Sequence, residues 1–523
     1  MTTRRVDADV AVVGSGFAGS LMAMILRRQG RSVALVERGR HPRFAIGESS
    51  TPLANLLLEE LCDRYGLDAL RPLSKMGTWQ RTYPWIACGL KRGFSFYHHA
   101  PGAAFEDDGA HARQLLVGAS PHDEVADTHW YRPDVDAFLV AEAQRAGAVL
   151  LDETAVASVE LREESVRLEA SRAGTPLTIR ARFLVDASGP RGCLHRMLQM
   201  EDAPLPRLPP TSALYAHFDG VGLWADVSRD AAGAPFPVDA AALHHVFPGG
   251  WIWVLRFNNG ITSAGIAATR PVDEALGLRQ GEPAWQRLLD LLPSVGRQFA
   301  AARPMTPFTY APRLAYRAGT IAGRRWAMLP SAAGVIDPLL STGFPLTLLG
   351  IQRLAAILER DWDGPELPGS LAGYAGLTQR ELDATESLVA ALYAAMDDFE
   401  LFKRLALLYF AAASFSEAAR RVGKADRARG FLLSGDGEFS RALETCVKAA
   451  LGKPSGAARR ELMARIDAAI APFDVAGLGD RGRRDWYPVR ADDLLLAAPR
   501  LGATADEIQS LLERCGFEPA HRT

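Results

Sequence analysis

The 523-residue sequence is poor in cysteine, in net charge and in long apolar runs. Its five cysteines are scattered and never spaced as Cys-x-x-Cys, which argues against a disulfide framework and a thiolate zinc site. Lysine and arginine number 59 against 61 aspartate and glutamate, so no general charge surplus favours nucleic acid or an anionic membrane. No uncharged apolar run is long enough to span a bilayer, and no apolar signal segment follows Met1. We therefore expect a cytoplasmic protein that binds neither nucleic acid nor membrane, and we predict no metal site.

The first forty residues predict a strand, a turn, a helix and a second strand. Val10–Val13 and Val33–Val36 are short apolar runs typical of buried parallel strands. The turn between them is Gly14-Ser15-Gly16-Phe17-Ala18-Gly19, which matches G-x-G-x-x-G. In such a turn the first glycine allows a tight bend, the second lets the backbone reach a pyrophosphate, and the third lets helix and strand pack closely. Glu37 follows the second strand, where it can accept hydrogen bonds from ribose hydroxyls, so we predict a dinucleotide site here.

Two later segments resemble the two-domain FAD monooxygenases. Phe183–Gly189 is an apolar strand that ends in a small-residue turn, similar to the D-A-[TS]-G segment of that superfamily. Arg132 and Asp136 resemble the R-x-x-x-[DE] opening of a helix that touches FAD. The resemblance implies that the dinucleotide is FAD. The cofactor contacts implied so far are Gly14, Gly16, Phe17, Ala18, Gly19, Glu37, Arg38, Arg132, Asp186 and Gly189.

Three further segments resemble the flavin-dependent halogenases, particularly the branch that acts on phenols and related electron-rich rings. They are His41–Ser49, Cys88–Phe96 and Leu329–Gly343. Together with the FAD segments, the resemblance covers residues 8 to 360, about two thirds of the chain. It implies a catalytic lysine at Lys91. It also implies cofactor contacts at Glu48, Ser49, Asp337 and Gly343, and a halide held by Ser341, Thr342 and Gly343.

Lys91 lies in a strand-like run from Leu90 to Tyr97. On one continuous strand its side chain would share a face with three small residues, Gly89, Gly93 and Ser95, which leave space beside an ammonium group. Without the resemblance, an ordinary solvated lysine would be the better interpretation. A compact, mobile cation can orient or carry an electrophilic halogen species, and its pKa shifts readily on burial. The aromatic residues predicted to contact a substrate there are Trp85, Phe94 and Tyr97.

The segment Ser341–Gly343 precedes an apolar helix predicted from about Pro345 to Arg360. Backbone N–H groups at a helix N-terminus form an anion site, which suits a halide beside the flavin ring. The alternative is a turn that packs against the flavin and binds no halide. Leu340 stands where tryptophan halogenases carry a glutamate that works with the lysine, which favours a phenolic or pyrrolic substrate.

One motif departs from the family. The hallmark W-x-W-x-I-P reads Trp251-Ile252-Trp253-Val254-Leu255-Arg256, so an arginine replaces the proline. Arg256 restores a backbone N–H and adds a charge, which leaves open a flavin monooxygenase or oxidase that uses no halide. A third alternative is a flavin-bound partner or carrier-docking subunit with the helical tail as its interface.

The predicted fold class is α/β, with a Rossmann-like FAD-binding domain interleaved with a mainly β substrate domain and followed by a helical C-terminal region. The expected boundaries are 1–204 and 321–365 for the FAD-binding domain, 205–320 for the β-rich domain and 366–523 for the helical region, which is the most separable part.

The resemblance implies that reduced FAD, oxygen and chloride or bromide yield hypohalous acid, which Lys91 hands to an electron-rich ring. No second dinucleotide motif is visible, so a separate flavin reductase would supply the reduced FAD. The substrate would be a small aromatic, either free or tethered to a carrier protein, and the pathway one of secondary metabolism such as antibiotic biosynthesis. A homodimer is one open alternative for the assembly.

Overall fold

The computed structural model describes residues 4–106, 109–228 and 233–517. Its strands are β1 Arg4–Val13, β2 Val33–Val36, β3 Cys88–Lys91, β4 Gly93–His98, β5 Gln114–Gly118, β6 Asp127–Trp130, β7 Val149–Leu151, β8 Thr154–Leu161, β9 Val166–Arg172, β10 Thr175–Asp186, β11 Thr211–Asp219, β12 Ala242–Phe247, β13 Gly250–Arg256, β14 Thr262–Thr269, β15 Arg303–Pro304, β16 Thr309–Ala311, β17 Tyr316–Arg317, β18 Ala322–Gly323, β19 Trp326–Met328, β20 Gly334–Val335 and β21 Trp486–Tyr487. Its helices are α1 Phe17–Arg28, α2 Pro52–Tyr65, α3 Met76–Thr82, α4 Arg132–Arg145, α5 Cys193–Met197, α6 Arg270–Leu276, α7 Glu282–Leu291, α8 Pro293–Gln298, α9 Pro330–Ala333, α10 Gly343–Arg360, α11 Leu367–Ala394, α12 Phe399–Arg421, α13 Gly437–Leu451, α14 Gly456–Ile470, α15 Ala491–Leu496, α16 Ala498–Leu501 and α17 Ala505–Arg514.

The first large sheet carries the dinucleotide turn. Its strand order is β18-β19-β10-β1-β2-β7, and the β8–β9 hairpin extends antiparallel from β10. β1 pairs in parallel with both β2 and β10, and β10 pairs in parallel with β19. The apolar run Val10–Val13 forms the buried half of β1 at the centre of the sheet. This arrangement confirms the predicted Rossmann-like sheet.

The second large sheet is mainly antiparallel and follows the order β15-β11-β14-β13-β12-β4-β5-β21, with β16 also paired to β11. Two of its strands, β4 and β5, come from the chain between β2 and β7 of the first sheet. The two sheets are therefore interleaved along the chain, as predicted. The sheet also extends outside the expected range 205–320, because β4, β5 and β21 all come from other parts of the sequence.

One local prediction was wrong, and three helices were not predicted. The run Leu90–Tyr97 is not one strand, because the chain leaves β3 at Arg92 and enters β4 in a different sheet: β3 pairs with β6, whereas β4 pairs with β5 and β12. The β-rich unit also contains α6, α7 and α8 after β14. Each of these helices has a proline in its first turn, which is a start signal present in the sequence.

The C-terminal region is helical as predicted, but its helices share the hydrophobic core of the first sheet. Phe94 of β4 packs against Phe410 of α12 with ring centroids 5.1 Å apart, and Phe96 packs against Phe402 at 5.9 Å. β21 continues the second sheet beside β5. These helices therefore close one side of the region around β4. Within the described ranges, no helix is long and apolar enough to cross a membrane.

Candidate functional site

The dinucleotide turn connects β1 to α1 and requires glycine at two positions. Gly14 has a φ of +98°, and its N–H donates to the carbonyl oxygen of Val36 at 2.8 Å. A Cβ on Gly19 would overlap the carbonyl oxygen of Gly14, and a Cβ on Gly14 would overlap Ala187. The turn therefore packs between β1, β2 and the end of β10 because these residues lack side chains.

Two guanidinium groups and the carboxylate of Asp136 lie close to Gly16, the N-cap residue of α1. The position of a Cβ on Gly16 lies 3.3 Å from Arg132 Nη2 and 3.8 Å from Arg43 Nη2. Arg132 is held in place by Asp136, to which its Nε and Nη2 donate at 2.9 and 2.8 Å, and its Nη1 donates to the carbonyl oxygen of Gly47. Two guanidinium groups beside a helix N-terminus suit the diphosphate of a dinucleotide.

Arg43 was not among the predicted site residues. Its only signal in the sequence was a basic side chain inside the His41–Ser49 segment.

Glu37 lies beside this turn. Its Oε2 accepts from the N–H and hydroxyl of Ser15 at 3.2 and 2.9 Å and from Arg43, and its Oε1 accepts from the N–H of Gly39. Burial raises the pKa of Glu37, but the Gly39 N–H, Arg43 and Ser15 outweigh it and leave the pKa below its ordinary value. The carboxylate is therefore ionised and oriented at the end of β2, whereas the neighbouring Arg38 is exposed.

The side chain of Asp186 orders the second predicted cofactor segment by accepting hydrogen bonds from nearby backbone N–H groups. Its Oδ1 accepts from the N–H and hydroxyl of Ser188, and its Oδ2 accepts from the N–H of Leu194 in α5 at 2.7 Å. The Asp186 side chain is fully buried, and its hydrogen bonds hold the turn after β10 in place. Gly189, at the tip of that turn, has a φ of +79° and open space where a Cβ would stand.

The N-terminus of a second helix, α10, lies close to the N-terminus of α1. α10 begins at Gly343, two residues earlier than predicted, with Thr342 as its N-cap and Ser341 at a φ of +54°. Phe344 of α10 stacks on Phe17, the first residue of α1, with ring centroids 4.6 Å apart. The positive ends of both helices therefore lie on either side of one aromatic pair. Among the described residues, and apart from its chain neighbours and the backbone of its own helix, no atom lies within 4 Å of where a Cβ on Gly343 would be.

A buried chain of hydrogen bonds connects this region to the second sheet and the C-terminal helices. Trp251 Nε1 of β13 donates to the hydroxyl of Tyr393 in α11 at 3.1 Å, and that hydroxyl lies 2.9 Å from Asp337 Oδ2. Asp337 Oδ1 also accepts from the N–H of Leu339. Burial raises the pKa of Asp337 to about 7, although these hydrogen bonds lower it. Trp251, the first tryptophan of the W-x-W motif, is thus connected by hydrogen bonds through Tyr393 to Asp337, which precedes α10.

Lys91 is fully buried at the end of β3. Its Nζ donates to Ser49 Oγ at 2.9 Å and to the carbonyl oxygen of Ser50 at 2.5 Å, and lies 3.9 Å from the ring centroid of Phe94. Burial lowers the pKa of Lys91, while the charge of Asp127 opposes that shift.

Two buried histidines near Lys91 carry no charge at neutral pH. Burial, with the nearby lysine, lowers the pKa of His129 and of His244 to about 3.

Glu48 lies next to the lysine's hydrogen-bond partners, and its Oε1 is 2.7 Å from His217 Nε2. Its carbonyl oxygen accepts from the N–H of Trp130, whose ring packs against Phe344 at 4.9 Å. The ring contact of Phe344 with Trp130 and the backbone hydrogen bond of Trp130 to Glu48 therefore connect the N-terminus of α10 to the segment that holds Lys91.

The expected neighbours of Lys91 need correction. Because the strand breaks at Arg92, Lys91 faces Phe94, whereas Gly89 and Gly93 give room to backbone carbonyls of Arg256 and Val117 rather than to the ammonium group. Tyr97 packs with Phe105 and Trp224 in a separate hydrophobic cluster, away from Phe94. Trp85 has 70% of its surface exposed. Of the three predicted substrate contacts, only Phe94 touches Lys91.

Arg256, the departure from the family motif, is held at the C-terminal end of β13, beside a second cavity that Gly89 and Leu90 of β3 also line. Its guanidinium donates to the carbonyl oxygens of Val221 and Gly222 and lies 3.3 Å from Asp239. The side chain thus fastens a segment at the far edge of β13 and brings no charge to the α10 N-terminus. Leu340 is fully buried. Across the described parts of the chain, no three His, Cys, Asp or Glu side chains are grouped to hold a metal ion.

The comparisons with known proteins agree with this geometry. The family model described as FAD dependent oxidoreductase matches residues 9–333. The monodechloroaminopyrrolnitrin halogenase PrnC of Pseudomonas fluorescens is 31% identical over 401 residues, which cover 75% of this chain and 69% of that protein. The chain belongs to the flavin-dependent halogenases. The tetracycline 7-halogenase of Kitasatospora aureofaciens is 29% identical over 370 residues, covering 68% of this chain and 64% of that relative.

The halogenase fold extends to the C-terminal region. The crystal structure of halogenase PltM in complex with phloroglucinol and FAD superposes with a TM-score of 0.81 at 24% sequence identity, covering 91% of this chain and 99% of that one. The predicted α/β fold and FAD as the cofactor of this flavin-dependent enzyme are confirmed. Arg43, Arg132, Glu37 and the glycine turn fit the diphosphate and ribose of FAD, whose isoalloxazine ring supplies the redox chemistry when bound. The roles of the individual site residues stay predictions.

Proposed function

We propose that this halogenase uses Lys91 to deliver an electrophilic halogen to a small phenolic or pyrrolic ring. The observation that carries the proposal is the position of the lysine. Its amine hydrogen-bonds to the Ser49–Ser50 segment on the cofactor side and contacts Phe94, which lines a cavity on the other side. A buried amine between a cofactor segment and a cavity can transfer an oxidant from one to the other.

The electrostatics of Lys91 support this role. Because burial lowers its pKa, a larger share of the side chain is neutral near pH 7 than for a surface lysine. A neutral amine can bond to halogen: the N–X bond forms as the O–X bond of hypohalous acid breaks, and hydroxide leaves with the amine proton as water. The protonated form can instead orient hypohalous acid by donating hydrogen bonds to it.

The halide is proposed to bind at the N-terminus of α10. The N–H groups of Gly343 and Phe344 have no partner inside the helix, Pro345 has no N–H, and the N–H of Leu346 donates to the carbonyl oxygen of Thr342. Chloride or bromide held by Thr342 and Gly343, beside the turn at Ser341, would lie near the stacked Phe17 and Phe344. The contacts through Trp130 and Glu48 then join this position to Lys91.

The substrate class rests on the cavity and on the relatives. The cavity encloses about 190 Å³ and is walled by aromatic and small apolar side chains of β4 and α12. The PltM structure contains phloroglucinol, a phenol. We therefore assign a phenolic or pyrrolic substrate, free or tethered to a carrier protein. A separate flavin reductase, a homodimer and a cytoplasmic location belong to the same proposal.

The test supplies reduced FAD, oxygen and bromide with a hypohalite trap and, separately, with a panel of phenols and pyrroles. The proposal expects trap halogenation that requires both the protein and bromide, together with at least one halogenated arene. Normal oxygen consumption with no trap signal in bromide or chloride would support a monooxygenase or oxidase instead. A flavin-bound partner subunit would give no oxygen-dependent turnover with any member of the panel.

A further inference from the structure

Asp127 is a buried carboxylate that the halogenation scheme does not use. It begins β6 and pairs directly with Lys91 of β3 in an antiparallel register, which places the two side chains on the same side of the ribbon. Asp127 Oδ1 accepts from Asn55 Nδ2 of α2 at 2.7 Å. Its Oδ2 has no hydrogen-bond partner within the described residues, although the side chain is only 4% exposed. A buried acceptor without a partner is costly, and it marks a place where a ligand can bind.

Asp127 and Asn55 both line the cavity of about 190 Å³, together with Phe94. The opposite wall belongs to α12 in the C-terminal region and includes Phe410 and Ala413. A cavity of about 150 Å³ accepts benzene, so this one has room for a single ring with a small substituent. Most of its lining is apolar, although Lys75, Glu417 and Arg421 also line it, and Asp127, the strand partner of Lys91, provides an acceptor.

We propose that Asp127 anchors the substrate: its Oδ2 accepts a hydrogen bond from a hydroxyl or N–H group on the aromatic ring and holds that ring in the cavity beside Lys91. This inference rests on the proposed function, and it narrows the substrate to rings that carry a hydrogen-bond donor. Asp127 acts directly on the substrate in this scheme, since it accepts the hydrogen bond of the ring substituent, but it does not contact the halogen.

Burial outweighs the charges around Asp127 and raises its pKa to about 7, so the carboxyl is ionised, and accepts most strongly, above that pH. Burial raises its pKa, the charge of Lys91 lowers it, Glu417 of α12 raises it and Arg421 lowers it. When the carboxyl is ionised, it forms a stronger hydrogen bond with the O–H or N–H donor. That bond is then more polarised, and electron density shifts towards the ring. If the proton moves, the substrate O–H or N–H bond breaks and an O–H bond forms at Oδ2, which leaves the electron pair on the ring. As a ring carbon bonds to the halogen, the N–X bond at Lys91 breaks, and the proton lost from that ring carbon restores the amine. The proton returns to the product oxygen or nitrogen after the transfer.

The test measures binding without turnover. Fluorine NMR titrations of the FAD-loaded protein, without halide or reductant, compare 4-fluorophenol with 4-fluoroanisole, which differ in one O–H donor. We expect the wild-type protein to bind the phenol about tenfold or more tightly than the ether, and Asp127→Asn to lose most of that preference. Asp123→Asn, which changes an exposed carboxylate that pairs with Arg92, is the matched control and should keep it.

Ala413→Phe, which fills the opposite wall of the cavity, should weaken binding of both probes while FAD stays bound. Equal affinities for phenol and ether in the wild-type protein, or no binding of either, would overturn the inference even if the variants fail to fold. An unchanged preference in a folded Asp127→Asn protein would also overturn it. These outcomes do not depend on the hypohalite trap, whose failure would instead reject the proposed halogenation.

Discussion

Tyr393 provides a sharp test of how the C-terminal helices support the cofactor region. Its hydroxyl lies between Trp251 Nε1 and Asp337 Oδ2, and all three side chains are buried. Tyr393→Phe removes this hydroxyl and leaves one buried donor and one buried acceptor without partners. At about 1–3 kcal/mol for each, the free energy of unfolding should fall by roughly 2–6 kcal/mol. Urea denaturation of the FAD-loaded protein, followed by flavin release and circular dichroism, measures that loss.

The pH dependence adds a second signature to the same variant. The pKa of Asp337 is raised in the folded protein to about 7, from an ordinary value of 3.8. A raised carboxyl pKa means that the folded state binds the proton more tightly than the unfolded state. Its stabilising contribution is therefore complete below about pH 4 and is lost as the pH rises towards 7. Without the Tyr393 hydroxyl the pKa of Asp337 rises further, so the loss of stability should continue to higher pH in the variant.

Tyr487→Phe is the matched control for this experiment. Tyr487 is also buried, but its hydroxyl has no hydrogen-bond partner among the described residues. Removing that hydroxyl should leave stability unchanged or slightly higher. If Tyr393→Phe costs no more than Tyr487→Phe, or if its stability has the same pH profile as the wild-type protein, the buried hydrogen-bond chain does not hold the α10 segment as described.

Three further variants test other parts of the site. The Cβ of Gly19→Ala would overlap the Gly14 carbonyl, so this variant should lack the flavin absorbance band. Gly373 on α11 has open space at its Cβ position, and Gly373→Ala should load FAD normally. Equal FAD loading in the two variants would contradict the packing argument. Arg43→Ala should weaken FAD binding about tenfold in a flavin fluorescence titration, and an unchanged affinity would remove Arg43 from the diphosphate site. Arg256→Ala should keep both FAD and the hypohalite trap signal, because its side chain is held at the C-terminal end of β13 by Val221 and Asp239; loss of the trap signal would refute that placement.

The sequence predicted those features that depend on local pattern. The glycine turn, the parallel strands around Val10–Val13 and the helix after Ser341–Gly343 all follow from short runs whose periodicity and backbone requirements are visible in order. The start of α10 was displaced by two residues, because an N-cap threonine and glycine carry a weaker signal than the proline that follows.

Features that depend on distant parts of the chain could not be predicted. The strand breaks at Arg92 because β3 pairs with β6 and β4 pairs with β5 in another sheet. This change of sheet alters which residues lie on the same face as Lys91. The tie from Trp251 through Tyr393 to Asp337 joins three elements that are far apart in sequence. Asp127 carried no motif, and its relation to Lys91 exists only through the pairing of β3 with β6.

The most direct test of the central claim is one ratio, halogenated arene per trapped hypohalite, measured for Lys91→Ala. Lys75→Ala is the control, because Lys75 lines the proposed substrate cavity, is partly exposed and pairs with Glu59. The account predicts that Lys91→Ala keeps FAD and the trap signal but loses arene halogenation, so that the ratio falls to background, while Lys75→Ala keeps the wild-type ratio. A wild-type ratio in Lys91→Ala would contradict the account.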